Sequence, residues 1–179
     1  MAGRSFAAGR TVRIRTENLD SVDERAGIRA VNRAAFGRPD EADLVDQLRG
    51  EEHALISLVA ELEGSIAGHI LFSRMWIRTS RGLVSAAALA PVAVLPEHQR
   101  QGIGGLLIRQ GLELLRARGE KIVIVAGHPG YYPRFGFSSD QAKLLESPFP
   151  PEAFMAMELC AGALDGIEGP VVYPPAFGI

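Results

Sequence analysis

The chain has 179 residues, of which 47% are apolar and 22% are charged, and this composition excludes disordered and fibrous proteins. Its formal charge of -2 at pH 7 offers no overall attraction for nucleic acid or for anionic lipid, so we predict neither as a partner. Because the length corresponds to about one domain, we expect a flexible tail over residues 1–10 and a single domain over residues 11–179.

The domain opens with one strand pattern and two helix patterns. Residues 11–16 alternate β-branched side chains with arginines, which predicts a half-buried strand. Apolar residues then recur at helical spacing over residues 21–36, with Ser21 or the residue before it as the N-cap. We expect Asp40 to cap a second, short helix that ends at Gly50.

Three strand patterns follow in succession. The first two cover residues 55–62 and 65–75, and the Glu63-Gly64 pair between them is typical of a hairpin turn. A second polar turn precedes the long apolar run over residues 83–95. These patterns predict a meander of three antiparallel strands.

The hydrophobic period then changes. Residues 102–118 carry an apolar stripe at helical spacing, and the β-branched run over residues 121–126 is typical of a strand buried on both faces. A strand–helix–strand unit makes this strand a parallel neighbour of residues 83–95. Eight of the 11 prolines lie from Pro129 onward, which favours short strands and turns. We therefore predict an α+β fold: a mixed, mostly antiparallel central sheet flanked by helices, with one β-α-β crossover.

The crossover begins with a glycine-rich segment, VAVLPEHQRQGIGGLL over residues 92–107. Glycines at the start of a helix let the chain bend so that successive N–H groups converge, and the helix dipole adds positive potential there. Such a loop is suited to a phosphate or pyrophosphate. An ordinary strand-to-helix turn is the alternative interpretation.

Two familiar phosphate loops do not match this segment. A Walker loop requires a lysine that the segment lacks, since the first lysine of the chain is Lys121. A dinucleotide fingerprint requires a third glycine where Leu107 stands. Neither a P-loop nor a Rossmann nucleotide site is indicated.

The segment does contain Gln-x-x-Gly-x-Gly at Gln99, Gly102 and Gly104, directly after a strand that ends in Val94-x-Pro96. This pattern resembles the acyl-CoA-binding motif of the GNAT N-acetyltransferase superfamily. The predicted order of strands and helices is also similar, over roughly residues 11–140. The resemblance implies a transferase that moves an acetyl group from acetyl-CoA to a primary amine of a small-molecule or protein acceptor.

The segment after the fifth strand extends the resemblance. Residues 128–137, HPGYYPRFGF, look like the Tyr-x-x-x-Gly-Phe ending of the superfamily, with Tyr132 in the tyrosine position. Many relatives carry an asparagine and a longer helix before that tyrosine, so we expect only about one helical turn here. The shortened form resembles a bacterial branch of predicted acetyltransferases.

The acyl-CoA site is expected where parallel strands separate at their C-terminal ends. Main-chain groups of Val92 and Val94 are then free to pair with the pantetheine amides, and the amides of the loop hold the pyrophosphate. Pro91 removes one donor within this strand, which predicts a bulge or an unpaired edge. The resulting candidate set is Val92, Val94, Gln99, Arg100, Gln101, Gly102, Ile103, Gly104 and Gly105.

Acetyl transfer also needs a proton donor for the departing thiolate. A phenol has a pKa of about 10 against about 8.5 for a thiol, so a tyrosine stays protonated at neutral pH and can donate. The resemblance assigns this role to Tyr132, with Tyr131 as the rival. Packing beneath the C-terminal segment is the alternative for the ring.

The general base is less clearly marked. His69 lies on a central strand and could titrate near neutrality, although a hydrogen-bonded core histidine is the alternative. Glu61, Glu97 and a water relay also stay open. The four histidines show no metal-ligand spacing, so we predict no catalytic metal.

A non-catalytic acyl-CoA binding or sensing module is the main alternative function, and an intact Tyr132 favours the enzyme. Cys160 is the only cysteine, which excludes an intrachain disulfide and fits the cytoplasmic location that we predict. Its apolar neighbours lead us to expect an inert, packed thiol. The apolar run over residues 83–95 is too short for a transmembrane helix, so we predict no membrane association. A homodimer stays open as a further partner.

Overall fold

The computed structural model describes Arg4–Ser5 and residues 11–179. Most of the tail predicted over residues 1–10 lies outside the described residues.

Strand β1, Arg4–Ser5, pairs antiparallel with β2, Thr11–Thr16. The predicted first strand of the domain therefore has the observed bounds of β2.

Both predicted N-terminal helices are present: α1 spans Val22–Phe36 and α2 spans Asp40–Gly50. Ser21 caps α1, since its Oγ accepts a hydrogen bond at 3.1 Å from the N–H three residues later. The predicted cap at Asp40 is wrong. Pro39 occupies the N-cap position in a helical conformation, and Asp40 is the first residue of the helix.

The predicted meander is confirmed by three strands, β3 (Ala54–Leu62), β4 (Ser65–Thr79) and β5 (Gly82–Val94). Each pairs antiparallel with the next, and β2 pairs antiparallel with β3. β4 continues past the predicted end at residue 75, because β5 matches it residue by residue as far as the turn at residues 79–82.

The crossover is also confirmed. Helix α3 spans Ile103–Ala117, strand β6 spans Ile122–Ala126, and β6 runs parallel to β5. Three short strands complete the described chain: β7 (Leu145–Glu146), β8 (Phe154–Glu158) and β9 (Gly169–Val172). The order in the sheet is β1-β2-β3-β4-β5-β6-β8, and β9 pairs with β4 and with β7.

Helices cover both faces of this sheet. Successive side chains of a strand point to opposite faces, and in β4 Phe72 joins the core beneath α3 while Leu71 joins the core beneath α1 and α2. The C-terminal segment covers the second face over β5 and β6 through a third apolar cluster. α3 therefore packs on the first face of the sheet, where Tyr132 and Phe137 join the same core.

The single cysteine lies at the surface. Cys160 follows β8 and is exposed, so the expectation of a packed thiol is wrong: the apolar side chains just before it belong to β8, whereas Cys160 stands in the turn after that strand. Among the described residues, no helix is long and apolar enough to span a bilayer.

Candidate active site

The site begins where β5 and β6 stop pairing. Their parallel pairing includes Ala88 with Ile124 and is not observed beyond these residues. The register between β5 and β4 also shifts there, so that Ala90 and Pro91 together stand opposite Leu71. The predicted irregularity at Pro91 is confirmed, and it leaves a gap between β5 and β6 at their C-terminal ends, the edge where open sheets bind ligands.

The main chain of β5 faces this gap. The N–H of Leu95 donates to the carbonyl of Ala67 on the β4 side at 2.9 Å. Because the hydrogen bonds of an antiparallel ladder alternate, the main-chain groups of Val94 and Val92 are directed away from β4 and toward the gap. The carbonyl of Val94 accepts a hydrogen bond from Gln99 Nε2 at 3.0 Å. Val92 therefore keeps a main-chain donor and acceptor directed into the gap.

The loop after β5 is held by its own side chains. A 3₁₀ turn covers Pro96–His98, and Gln101 Nε2 donates to the carbonyl of Glu97 at 3.1 Å. Arg100 has a φ of 59° and Gly102 a φ of 89°. The second angle is readily adopted only by glycine, and it turns the chain directly into α3. The side chains of Gln99 and Gln101 therefore shape the loop. The amides of His98 and Gln99 donate within the turn, which leaves the amides nearer the start of α3 for a ligand.

The N-terminus of α3 is suited to an anion. Ser21 caps α1, which also has two acids in its first turn, whereas α3 has neither a side-chain cap nor an acid there. The N–H groups of Ile103, Gly104 and Gly105 have no acceptor within the helix, and the positive end of the dipole lies at the same point. These residues fit a phosphate group.

Tyr132 lies at the end of β6 that borders the gap. It begins the 3₁₀ turn Tyr132–Phe135 and is 8% exposed. A Cβ on Gly127, the residue after β6, would overlap its ring, and Phe137 packs edge-on against it at 5.9 Å between ring centroids. Burial, and to a lesser extent Tyr131, raises the pKa of the Tyr132 hydroxyl to about 12. The phenol is therefore protonated at neutral pH.

The rival tyrosine lies elsewhere in the site. The Tyr131 hydroxyl is 3.1 Å from the position that a Cβ would take at Gly104, so it lies at the N-terminus of α3. The rings of Tyr131 and Tyr132 meet edge-on at 5.1 Å. The two adjacent tyrosines thus differ in their contacts: Tyr131 reaches Gly104 on α3, whereas Tyr132 packs against Gly127 after β6.

His69 is not part of this gap. Its side chain is fully buried, with Nδ1 3.2 Å from Asn32 Nδ2 and Nε2 2.9 Å from Ser57 Oγ. The Ser57 hydroxyl donates in turn to the Glu17 carboxylate. Burial, with a smaller effect from the positive charge of Arg49, lowers the pKa of His69 to about 3. This geometry is that of a hydrogen-bonded core histidine and does not support the prediction of a base that meets the acceptor.

The two carboxylate alternatives also have other contacts. Glu61 Oε2 accepts a hydrogen bond from Arg15 Nε at 2.9 Å. Glu97 lies in the 3₁₀ turn beside the anion site. Neither carboxylate is brought to Tyr132 by the contacts that the structure shows.

Several residues near the site were not predicted from the sequence. Arg109 and Arg134 lie over the rings of Phe135 and Tyr131 respectively. Arg109 follows Gly105 by one helical turn, and this spacing is the one clue that its side chain reaches back to the start of α3. The polar network around His69 depends on contacts between distant segments, which no local pattern could have indicated.

Comparison with protein families gives one match over the site and most of the fold. Residues 18–139 match the model of the acetyltransferase (GNAT) domain. The uncharacterized N-acetyltransferase YjhQ of Escherichia coli K12 is 44% identical over 129 residues, which are 71% of each chain. The uncharacterized N-acetyltransferase YhbS of the same strain is 32% identical over 84% of this chain and 91% of its own.

Two solved structures have the same fold. The GNAT family N-acetyltransferase YhbS from Escherichia coli, in complex with CoA, matches with a TM-score of 0.85 and 31% identity over 94% of this chain and 92% of its own. A GNAT family acetyltransferase from Brucella melitensis, in complex with acetyl-CoA, matches with a TM-score of 0.77 and 36% identity over 93% and 97% of the two chains.

Proposed function

This chain belongs to the GNAT acetyltransferase family and is an N-acetyltransferase, and we propose that it transfers an acetyl group from acetyl-CoA to a primary amine at the gap between β5 and β6. One observation carries this assignment: the gap lies between an uncapped helix N-terminus and a buried, protonated tyrosine. The relatives crystallised with CoA and acetyl-CoA support the choice of acyl donor.

We assign the binding of acetyl-CoA to the main chain. The N–H groups of Ile103, Gly104 and Gly105 hold the pyrophosphate, because they are unpaired within α3 and are reinforced by its dipole. The carbonyl of Val92 and the N–H of Val94 pair with the amides of the pantetheine arm. The side chains of the loop contribute indirectly, by fixing the turn.

The chemistry is divided between two groups on either side of the gap. Bound acetyl-CoA supplies the thioester carbonyl and the sulfur that leaves. We assign the N–H of Val92 to the carbonyl oxygen, where it stabilises developing negative charge. The amine nitrogen forms a bond to the carbonyl carbon, and as the carbon–sulfur bond breaks the Tyr132 hydroxyl donates its proton to the sulfur. The phenolate then regains a proton from the water that has received the amine proton. Because His69 is buried and Glu61 is held by Arg15, we assign removal of the amine proton to water at the open gap.

The thiol content also supports a cellular location. The exposed Cys160 has no second cysteine in the chain with which to pair, and free thiols persist in reducing compartments. The curated relatives described above are bacterial. We propose a cytoplasmic enzyme on this basis.

A thiol-release screen tests the proposal. The protein is mixed with acetyl-CoA and with panels of polyamines, amino acids, aminoglycosides and peptides, and the free CoA thiol is measured. We expect at least one amine class to give thiol release above hydrolysis. If acetyl-CoA binds but no amine increases thiol release, the chain is an acyl-CoA binding or sensing module.

A further inference from the structure

Two arginines and two aromatic rings form a cluster beside the start of α3. Arg109 Cζ lies 5.0 Å from the ring centroid of Phe135, and Arg134 Cζ lies 4.6 Å from that of Tyr131. The two rings meet at 5.3 Å between centroids. We refer to Arg109, Arg134, Tyr131 and Phe135 as the arginine–aromatic cluster.

The position of Arg109 is set by a glycine one turn earlier. Helical side chains lean toward the N-terminus and over the residue four positions before. A Cβ at Gly105 would lie 3.1 Å from Arg109 Nη1 and 3.6 Å from the ring of Phe135. The absence of a side chain at Gly105 therefore lets the guanidinium lie against the first turn of α3.

Arg134 is fixed from the other side. Its Nε donates to the carbonyl of Tyr131 at 2.9 Å, and its guanidinium lies over the ring of the same residue. Burial raises the pKa of the Tyr131 hydroxyl, and the positive charges of Arg134 and Arg109 act against that rise. Both guanidinium groups are therefore close enough to act on the hydroxyl that lies beside Gly104.

The two arginines of the cluster place positive charge beside the start of α3, where no carboxylate of the described residues pairs with them. A cation near a helix N-terminus is unfavourable, because the dipole is positive there, and α3 has no acid in its first turn. In the part of the chain that the structure describes, neither Arg109 nor Arg134 pairs with a carboxylate, whereas Arg15, Arg49 and Arg74 do. The arginine–aromatic cluster can therefore bind an anionic ligand.

The chemistry of the donor identifies that anion. In the proposed function, on which this inference rests, the main-chain N–H groups of α3 hold the pyrophosphate. Coenzyme A carries one further phosphate, the 3′-phosphate of its ribose. A phosphomonoester matches the planar, multi-donor geometry of guanidinium groups. We propose that Arg109 and Arg134 form a subsite for this 3′-phosphate, through which the protein selects CoA esters over dephospho-CoA esters.

Calorimetric titration of the full chain with acetyl-CoA and with 3′-dephospho-acetyl-CoA tests this subsite. We expect the wild type to bind acetyl-CoA at least about tenfold more tightly than 3′-dephospho-acetyl-CoA. This ratio is on the scale of a hydrogen bond to a charged group. Arg109→Gln and Arg134→Gln should each lose most of this preference and should bind the dephospho ligand as the wild type does. Arg116→Gln, an exposed arginine near the far end of the same helix, should keep the full preference.

Two results would overturn the subsite. One is a wild type that binds both ligands equally well. The other is a pair of arginine variants that weaken both ligands by the same factor, since the arginines would then act on the pyrophosphate or on the fold. If the wild type binds neither ligand, the proposed function itself fails, and the inference fails with it.

Discussion

The ring of Tyr132 packs directly on the backbone of Gly127, the residue that follows β6 at the gap. The contact is so close that any side chain at Gly127 would overlap the ring. A single residue without a Cβ thereby brings a phenol to the point where β5 and β6 have separated. The catalytic assignment of Tyr132 depends on this contact.

Replacing Gly127 should move the proposed acid without removing it. Gly127→Ala forces the Tyr132 ring away from the end of β6, and a misplacement of about 1 Å can cost about 10²-fold in rate. We expect kcat to fall on that scale while acetyl-CoA still binds. Gly130→Ala is the matched control, since no atom lies within 4 Å of a Cβ there. Equal kcat values for Gly127→Ala and Gly130→Ala would show that Tyr132 is not the general acid.

Removing the Tyr132 hydroxyl alone should lower kcat by roughly 10²-fold or more, the usual scale for a positioned acid. Tyr132→Phe keeps the buried ring, so the affinity for acetyl-CoA should change little. Tyr131→Phe is the companion variant; its hydroxyl lies at Gly104, so it should affect acetyl-CoA affinity more than kcat. The reverse pattern, with kcat lost only in Tyr131→Phe, would reassign the acid to Tyr131.

Local patterns predicted the elements well, because each depends on neighbouring residues. The alternation over Thr11–Thr16 and the apolar stripe that becomes α3 gave strand and helix bounds within about one residue. Asp40 was predicted as a cap because aspartate often takes that position, but Pro39 precedes it with a helical backbone and takes the position itself.

The side-chain arrangement of the site was less predictable, because it depends on which distant segments meet. The sequence could not place Arg109 over Phe135, which lies 26 residues later and on a different element. It also could not show that Asn32 and Ser57 enclose His69. A histidine on a central strand has the same local pattern whether it faces a pocket or a buried network.

The buried His69 should make the protein less stable in acid. The pKa of His69 is about 3 in the folded protein and about 6.5 in the unfolded chain. Between these two pH values, His69 is protonated in the unfolded chain and neutral in the folded protein. The contribution of His69 is fully present above about pH 6.5 and is lost as the pH falls toward 3, by up to ~1.4 kcal/mol per pH unit.

Urea unfolding of the wild type and of His69→Gln, from neutral pH to mildly acidic pH, measures this effect. Glutamine cannot take up the proton, so the free energy of unfolding should fall less steeply with pH in the variant. Parallel pH dependences would show that His69 does not titrate as a buried neutral group. The same variant tests whether His69 is the general base. If His69→Gln lowers kcat but keeps native stability, His69 takes part in catalysis.

Substitution at the anion site should abolish ligand binding and leave the fold intact. Gly104→Asp places a negative charge at the N-terminus of α3, against the proposed pyrophosphate, and crowds the Tyr131 hydroxyl. Calorimetry should detect no acetyl-CoA binding, while circular dichroism stays native. Gly50→Asp makes the same change at an open position and should bind normally. Unchanged affinity in Gly104→Asp would remove the loop from the site.

A crystal structure of the chain with acetyl-CoA tests the central claim most directly. We predict that the pyrophosphate accepts hydrogen bonds from the N–H groups of Ile103, Gly104 and Gly105, and that the thioester lies between Val92 and Tyr132, with the sulfur within hydrogen-bonding reach of the Tyr132 hydroxyl. A pyrophosphate bound away from the N-terminus of α3, or a sulfur out of reach of Tyr132, would contradict the account.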